Sequence, residues 1–424
     1  MKIIYDISVL GSGHYNNRAR TGIFRVVENI ARGLAETKEH GIAFCAIGNN
    51  LEQCLGYLKA NPYLERIPLS YNQKYISIKC KLNEYHSNIK NKSFINSISS
   101  RVYFKLTKIY LRYLKRYTNL TEELIGVEDA DVFHSPFLPL PRELLKYDRT
   151  RRFITIYDII PIIHPEYFMF EEDHLLKSVV ASIDRDTWVL SISESTKNDL
   201  CGYSQKVDPD KVVVTPLAAS ELFYQCSSSK EIACVKGKYA IPDKPYILSC
   251  CTLEPRKNID QTIKCFVTLI KQEHIQDLCL VLVGAKGWDY AKIFDTIPQN
   301  QDLKGRIIIT GYVADEDLAA IYSGALAFIY PSFYEGFGLP PLEAMKCGIP
   351  VITSNTSSLP EVVGDAGIMV NPHDADAICQ SMLDLYNNPA LRLDLSEKSI
   401  KRAELFSWER CVQQTIDAYK KSLN

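Results

Sequence analysis

The stretch YPSFYEGFGLPPLEAMKCGIP, Tyr330 to Pro350, decides the reading of this chain. Ahead of it runs Ala325-Leu326-Ala327-Phe328-Ile329-Tyr330, an apolar run of the length of a buried parallel strand. Behind it, Ile349-Pro350-Val351-Ile352-Thr353 reads as the next strand. Between the two, a glycine-containing turn leads to Pro340-Pro341, which open a short helix that closes at Gly348. A helix start offers free N–H groups and a positive dipole end, which suits a phosphate. Two carboxylates flank this position: Glu335 in the loop and Glu343, expected in the first helical turn. Acids beside an anion site are unfavourable unless they bind something else, and ligand hydroxyls are the natural candidates. The alternative is a pair of solvated or capping acids, since Glu is ordinarily welcome in a first helical turn. Read functionally, the stretch implies a ligand carrying both phosphate and sugar.

Composition bounds the rest. At 424 residues, two domains are the sensible expectation, and 46% hydrophobic with 23% charged residues describes an ordinary globular chain. A formal net charge of −1 argues against a globally basic nucleic-acid binder. Met1-Lys2-Ile3-Ile4-Tyr5 leads straight into a strand pattern rather than a signal peptide, and no run approaches the ~20 apolar residues of a membrane span. The 13 cysteines are odd in number and lack a CxxC pair, which predicts reduced cytosolic thiols rather than disulfides or a zinc site.

Lys2 to Val9 alternates as a first strand, followed by Gly11-Ser12-Gly13-His14-Tyr15. That segment superficially resembles a dinucleotide loop, but the third glycine is missing and no helix is expected to open there. The expected helix follows Thr21-Gly22, with Ile23, Val26, Val27, Ile30 and Leu34 at helical spacing. From Lys74 to Arg116 eleven Lys or Arg face one acid, Glu84. Arg101, Lys105, Lys108, Arg112 and Lys115 share one helical face, and Tyr103, Leu106, Tyr110, Leu114 and Tyr117 share the other. Such a helix suits either an anionic membrane surface or a core-facing side with a solvated basic side. Three strands then end in polar tips: one at His134-Ser135, one at Tyr157-Asp158 and one at Ser191-Ile192-Ser193. Polar carboxyl ends of this kind form the ligand rim of a parallel α/β sheet. Ser193 reads as the N-cap of the next helix.

Residues 221–244 are polar and weakly patterned, so the linker is expected there. The alternation restarts at Tyr246, and Leu253-Glu254-Pro255-Arg256-Lys257-Asn258 joins a strand to a helix. Adjacent Arg256 and Lys257 could clamp a diphosphate, Arg by a fork and Lys as a point charge. Strand and helix alternate once in each half. The predicted architecture is therefore α/β: a domain over 1–220 with the basic insertion at 74–116, a second over 245–400, and a helix over 401–424 returning to the first. The two doubly wound, Rossmann-like domains face each other across a cleft.

These residues resemble the GT-B glycosyltransferases of family 4, retaining and metal-independent enzymes that use nucleotide sugars. Thr21-Gly22-Ile23-Phe24-Arg25 is similar to the family's N-terminal glycine loop, and Tyr157-Asp158-Ile159-Ile160-Pro161 to its His-Asp-type strand end. Leu253 to Asn258 resembles the Arg-Lys phosphate loop, and Gly311-Tyr312-Val313 the base-binding turn. Glu335 to Glu343 matches the Glu–seven residues–Glu signature, followed by Ser357-Leu359-Pro360-Glu361. The spacing is closest to a mannosyltransferase B-like branch used in O-antigen and capsule assembly. The resemblance covers nearly the whole chain apart from 74–116.

The resemblance implies that Arg256 and Lys257 neutralise the departing diphosphate in place of a metal, and that Glu343 binds ribose. Glu335 would hold the transferred sugar together with the backbone of Gly336, Phe337, Gly338 and Leu339, and Tyr312 and Val313 would line the base. Gly22 would let the N-terminal loop approach the phosphates. His134, Tyr157 and Asp158 would lie on the acceptor side, with Asp158 catalytic alongside Glu335, Arg256 and Lys257. No cofactor is implied, only a nucleotide sugar as co-substrate, GDP-mannose or a UDP-sugar. The acceptor would be a glycan or lipid-linked oligosaccharide, met in the cytoplasm, with 74–116 offering peripheral membrane contact. Tyr157 departs from the family's usual His, and tyrosine, with an ordinary pKa of ~10, is no base near pH 7. A nucleotide-sugar 2-epimerase and a non-catalytic nucleotide-sugar binder are the competing readings.

Overall fold

A computed structural model of the chain describes residues 1–15, 22–37, 39–48, 50–77, 79–80, 106, 124–168, 174–289 and 305–424. Thr21 and the tyrosine-rich basic helix expected over 101–117, Leu106 apart, lie outside the described residues.

Two six-stranded parallel sheets organise the molecule. The first runs, in spatial order, Gly41–Cys45 (β2), Lys2–Asp6 (β1), Val132–Ser135 (β3), Arg151–Ile156 (β4), Trp188–Ser191 (β5) and Val212–Val214 (β6). The second runs Gly367–Val370 (β12), Val351–Ser354 (β11), Ala327–Tyr330 (β10), Tyr246–Cys250 (β7), Cys279–Val283 (β8) and Ile307–Gly311 (β9). β8 and β10 are apolar and buried along their whole length, as strands covered on both faces must be, and β11 is buried throughout as well, with Thr353 and Ser354 at its polar carboxyl end. The strand order of the second sheet reverses between β7 and β10. Ligands of doubly wound sheets bind at such a point, beyond the carboxyl ends of the strands.

The amino terminus differs from the expected strand over 2–9. β1 stops at Asp6, whose carboxylate accepts the Ser8 N–H at 3.2 Å and the Ser8 hydroxyl at 2.6 Å. The chain then enters helix α1 (Ser8–Tyr15), so the Gly-x-Gly segment is helical after all. Gly11 serves packing there. A Cβ at that position would lie 2.7 Å from the backbone nitrogen of Cys54, in helix α3 (Leu51–Lys59). Helix α2 (Gly22–Glu36) buries Val26, Val27, Ile30 and Leu34, the stripe seen in the sequence.

The stretch 221–244, where the linker is expected, is partly helical. It contains helix α5 (Ser229–Lys238), capped by the Ser228 hydroxyl, and buries only Val235 and Lys236. So little apolar surface leaves no readable period, which is why the pattern hides the helix. Lys238 and the Tyr239 hydroxyl both bond Asp317, at 2.6 and 2.7 Å, and so tie α5 to the second sheet's layer. At the carboxyl end, helix α9 (Trp408–Leu423) packs back on α2 and β4, with the Tyr419 ring 4.8 Å from that of Phe153. All thirteen cysteines are free.

Candidate active site

Two loops meet where the second sheet reverses. After β7 the chain makes a single 3-10 turn, Pro255–Lys257, then enters the left-handed region at Asn258 before helix α6 (Ile259–Gln272). Asn is one of the few side chains that tolerates this conformation. Its amide donates to the Pro372 carbonyl at 2.7 Å and fixes the turn. After β10 comes the loop Pro331 to Gly338. Gly338, at φ +115°, turns it into helix α8 (Leu339–Lys346), a backbone angle that favours glycine.

The two loops bring Arg256, Lys257 and Glu335 into one buried cluster. The Glu335 carboxylate lies 2.9 Å from the Arg256 guanidinium and 2.6 Å from the Lys257 ammonium, and accepts the Tyr330 hydroxyl at 2.9 Å. Arg256 also donates to the Tyr334 carbonyl and to Glu254. Burial pushes the Glu335 carboxyl up, but Arg256 and Lys257 outweigh it and hold the group at about 2. Two cations, Arg256 and Lys257, therefore share the cluster with two carboxylates, Glu335 and Glu254, the latter 3.0 Å from Arg256. An anionic ligand would find its counter-charges already placed.

Glu343 lies one turn into α8, not in its first turn as the sequence suggests. It is nearly covered. Its Oε2 accepts the Tyr322 hydroxyl at 3.3 Å, and its Oε1 lies 3.9 Å from Arg25, which reaches across from α2. Burial raises its carboxyl to about 7 against the pull of Arg25 and Tyr322. Arg25 also pairs with Asp315, at the start of helix α7 (Asp315–Ser323), beyond the turn Gly311-Tyr312-Val313. In that turn Tyr312 is 74% exposed and Val313 is buried. A Cβ on Gly22 would meet Leu339 at 3.5 Å, so the start of α2 lies against the start of α8.

Across the cleft, the Gly336 backbone is pressed against the tip of β4. A Cβ there would fall 2.5 Å from the Tyr157 carbonyl and 2.9 Å from the Asp158 Cβ, so only glycine allows the approach. Asp158, pushed up by burial, accepts the Ile160 N–H and feels Arg256 and Glu335 from the facing loop. A cavity of about 290 Å³ opens beside it, lined by Tyr157, Phe137, Ile23, Phe168 and Arg256. The Tyr157 hydroxyl and the Arg256 Nε are both buried there, with no hydrogen-bond partner among the described residues.

His134 is not brought to this site. Its two ring nitrogens bond the Tyr419 and Thr155 hydroxyls at 2.6 and 2.8 Å inside the first domain, and burial lowers its pKa to about 3. It joins β3, β4 and α9 as a neutral core histidine. The Phe337 side chain also faces inward, its ring against Phe406, which leaves only its backbone to the donor loop.

Several residues of the cleft were invisible to motif reasoning. The Ser193 and Thr196 hydroxyls donate to the Gly336 carbonyl at 2.7 and 3.2 Å. The Glu361 carboxylate accepts the N–H groups of Glu194 and Ser195, both at 2.7 Å, at the open end of helix α4 (Glu194–Tyr203). The Tyr334 hydroxyl reaches Asp199 at 2.7 Å, its ring against that of His164. Ser193 carried an N-cap signal and Glu361 sat in a recognised motif, yet nothing local indicates that they meet.

Paired six-stranded parallel sheets, with a buried Arg–Lys–Glu cluster at the carboxyl edge of one, define a GT-B type fold. Residues 235–402 match the family model described as glycosyl transferases group 1. The chain is 37% identical over 290 residues to O-antigen chain mannosyltransferase B from Escherichia coli, covering 68% of this chain and 74% of that one. Among solved structures, sucrose-phosphate synthase from Thermosynechococcus elongatus superposes with a TM-score of 0.65 at 19% identity, covering 99% of this chain and 98% of the other. Anabaena HepE in complex with UDP and glucose gives a TM-score of 0.63 at 16% identity over 98% of each chain. The protein belongs to the group 1 glycosyltransferases and is an enzyme that moves a sugar from a nucleotide-sugar donor to a glycan acceptor. Among the described residues, no helix is long and apolar enough to cross a membrane.

Proposed function

We propose that this enzyme transfers mannose from GDP-mannose, with retention of anomeric configuration and without a metal ion, to a glycan or lipid-linked oligosaccharide of a surface polysaccharide. The observation that carries the reading is the Arg256–Glu335–Lys257 cluster at the reversal of the second sheet, with ion-pair distances of 2.9 and 2.6 Å. It supplies two fixed cations where a diphosphate leaves and one carboxylate where a sugar hydroxyl would bind. The 37%-identical mannosyltransferase supports mannose as the transferred sugar.

Arg256 and Lys257 take the charge that develops on the leaving phosphate, work that a preorganised pair performs without reorganisation. Glu335 turns from its two cations to the hydroxyls of the transferred sugar. Glu343 accepts the ribose hydroxyls, and Tyr312 and Val313 frame the base. Asp158 stands at the tip of β4 against Gly336 and flanks the anomeric carbon from the acceptor side. The bond from that carbon to the diphosphate oxygen breaks, the bond to the acceptor oxygen forms on the same face, and the departing phosphate oxygen takes the acceptor's proton. Tyr157, its phenol pushed further up by burial, is not required as a base.

We place the reaction at the cytoplasmic face of a membrane, with the basic run 74–116 as its contact to anionic lipid. Neutralising those lysines and arginines is expected to weaken sedimentation with anionic vesicles; unchanged sedimentation overturns that placement. Donor consumption with and without acceptors tests the main reading. GDP-mannose converted only when a mannosyl acceptor is present supports it, whereas acceptor-independent epimerisation contradicts it.

A further inference from the structure

Arg25 comes from the first domain, yet among the described residues the ion pairs of its guanidinium are with groups of the second. It pairs with Asp315 at the head of α7 and stands 3.9 Å from the Glu343 Oε1. Its position is built. Its own carbonyl is held by the Asn29 amide at 2.7 Å, and α2 begins at Gly22 against Leu339. The groups facing Glu343 are Arg25 from α2, Asp315 and Tyr322 from α7, Cys250 from β7 and Cys347 at the end of α8. Arg25 is the one cation among these facing groups, and Asp315 opposes it.

We propose that Arg25 is a positioning residue for the nucleotide, presenting the Glu343 carboxylate to the ribose hydroxyls from across the cleft, so that ribose recognition is complete only when the two domains meet. This rests on the reading of Glu343 as the ribose acceptor. An ionised carboxylate accepts from both ribose hydroxyls, while a protonated one must spend an oxygen as a donor. Burial favours the protonated form, and the largest force against it is Arg25. Asp315 orients the guanidinium, and its own charge leaves Arg25 only part of its influence on Glu343. That arrangement makes the effect of Arg25 sensitive to domain approach. Because the cation is contributed by the partner domain, an open cleft would hold the nucleotide by its phosphates and base while its ribose contact was weakened.

The test is calorimetric titration of the full-length enzyme with GDP or UDP, whichever the wild type binds more tightly, and with its 2′,3′-dideoxy counterpart, between pH 6 and 8.5. Wild type, Arg25→Met and Arg25→Lys are compared. Arg25→Met is expected to lose roughly tenfold in affinity at pH 6, fading to under roughly threefold at pH 8.5, a coupling within the usual range between sites. Arg25→Lys is expected to recover most of the loss, and the dideoxy nucleotide to show almost none. A loss equal at every pH, or equal for both nucleotides, overturns the proposal and makes Arg25 a phosphate ligand or scaffold. Wild type that binds the two nucleotides equally refutes the ribose reading of Glu343 itself, and the proposal with it.

Discussion

Replacing Glu335 by Gln probes the cluster on which the donor site is built. The carboxylate lies 2.6 Å from Lys257 and 2.9 Å from Arg256, nearly out of solvent. At those distances each Coulomb attraction is roughly 6 kcal/mol for an effective dielectric near 20, most of it offset by desolvation of the three groups. Removing Glu335 from the cluster leaves Lys257 without its carboxylate and Arg256 with Glu254 alone, and losing one partner of a buried pair costs about 3–5 kcal/mol. Gln keeps the shape and part of the hydrogen bonding, so the lower end, about 3 kcal/mol, is expected. For a domain of this size that lowers the midpoint of thermal unfolding by roughly 6–12 °C. The folded carboxyl is held at about 2, below its ordinary 4.5. Its contribution is therefore complete above about pH 4.5 and fades as pH falls through 2, so the gap between wild type and variant is constant from pH 6 to 8.

A diphosphate supplies the missing anion. Saturating GDP at about 100 times its dissociation constant raises wild-type stability by roughly 2.7 kcal/mol. Glu335→Gln is expected to gain more than the wild type, closing much of the gap, while its mannosyl transfer falls by roughly a hundredfold or more. Thermal unfolding of both proteins with and without GDP, beside initial rates, reads all of this. A variant as stable as wild type without ligand, with the same GDP-induced shift, would refute the claim that Arg256 and Lys257 await a diphosphate.

Three further outcomes follow from the same geometry. Glu343→Gln should weaken nucleotide binding yet stabilise the free protein above pH 7: burial raises this carboxyl to about 7, so the stability of its neutral form is full below about 4.5 and lost as pH rises through 7. The gain at pH 8 should approach ~3 kcal/mol, and a loss of stability there would contradict the burial argument. Tyr157→Phe removes a buried hydroxyl with no partner among the described residues, so the free protein should keep or raise its midpoint and turnover should stay within about tenfold; abolished turnover would make the phenol essential. Glu361→Ala takes the carboxylate from the α4 N–H groups, and small-angle scattering should then report a larger radius with kcat/KM down roughly tenfold. An unchanged radius would mean that this contact does not hold the domains.

The donor half of the fold was readable because its signals are local. Tyr330 to Pro350 and the apolar runs that flank it carry strand, glycine turn, helix start and strand within one short segment, and the structure realises each as β10, Gly338, α8 and β11. Helical spacing also found α2, and the Ser193 cap found α4. Where a local pattern was ambiguous, tertiary contacts decided. Asp6 folds back on Ser8 and ends β1 early, α5 hides because it buries so little, and His134 points into a core closed by a helix from the far end of the chain. The cleft contacts were illegible for a simpler reason. Arg25 and Asp315 are separated by 290 residues, and Glu361 and Ser195 by 166, so no sequence period links them. Only the facing of two sheets brings such pairs together.

Retention and metal independence are the properties that the Arg256–Glu335–Lys257 cluster would confer on the transfer. The direct measurement is the anomeric configuration of the product formed from GDP-mannose and a mannosyl acceptor in excess chelator, read by the carbon–proton coupling of the new linkage. An α-mannoside formed at an undiminished rate is predicted, with Arg256 and Lys257 carrying the charge of the departing diphosphate. A β-mannoside, or transfer abolished by the chelator and restored by a divalent metal, would contradict it.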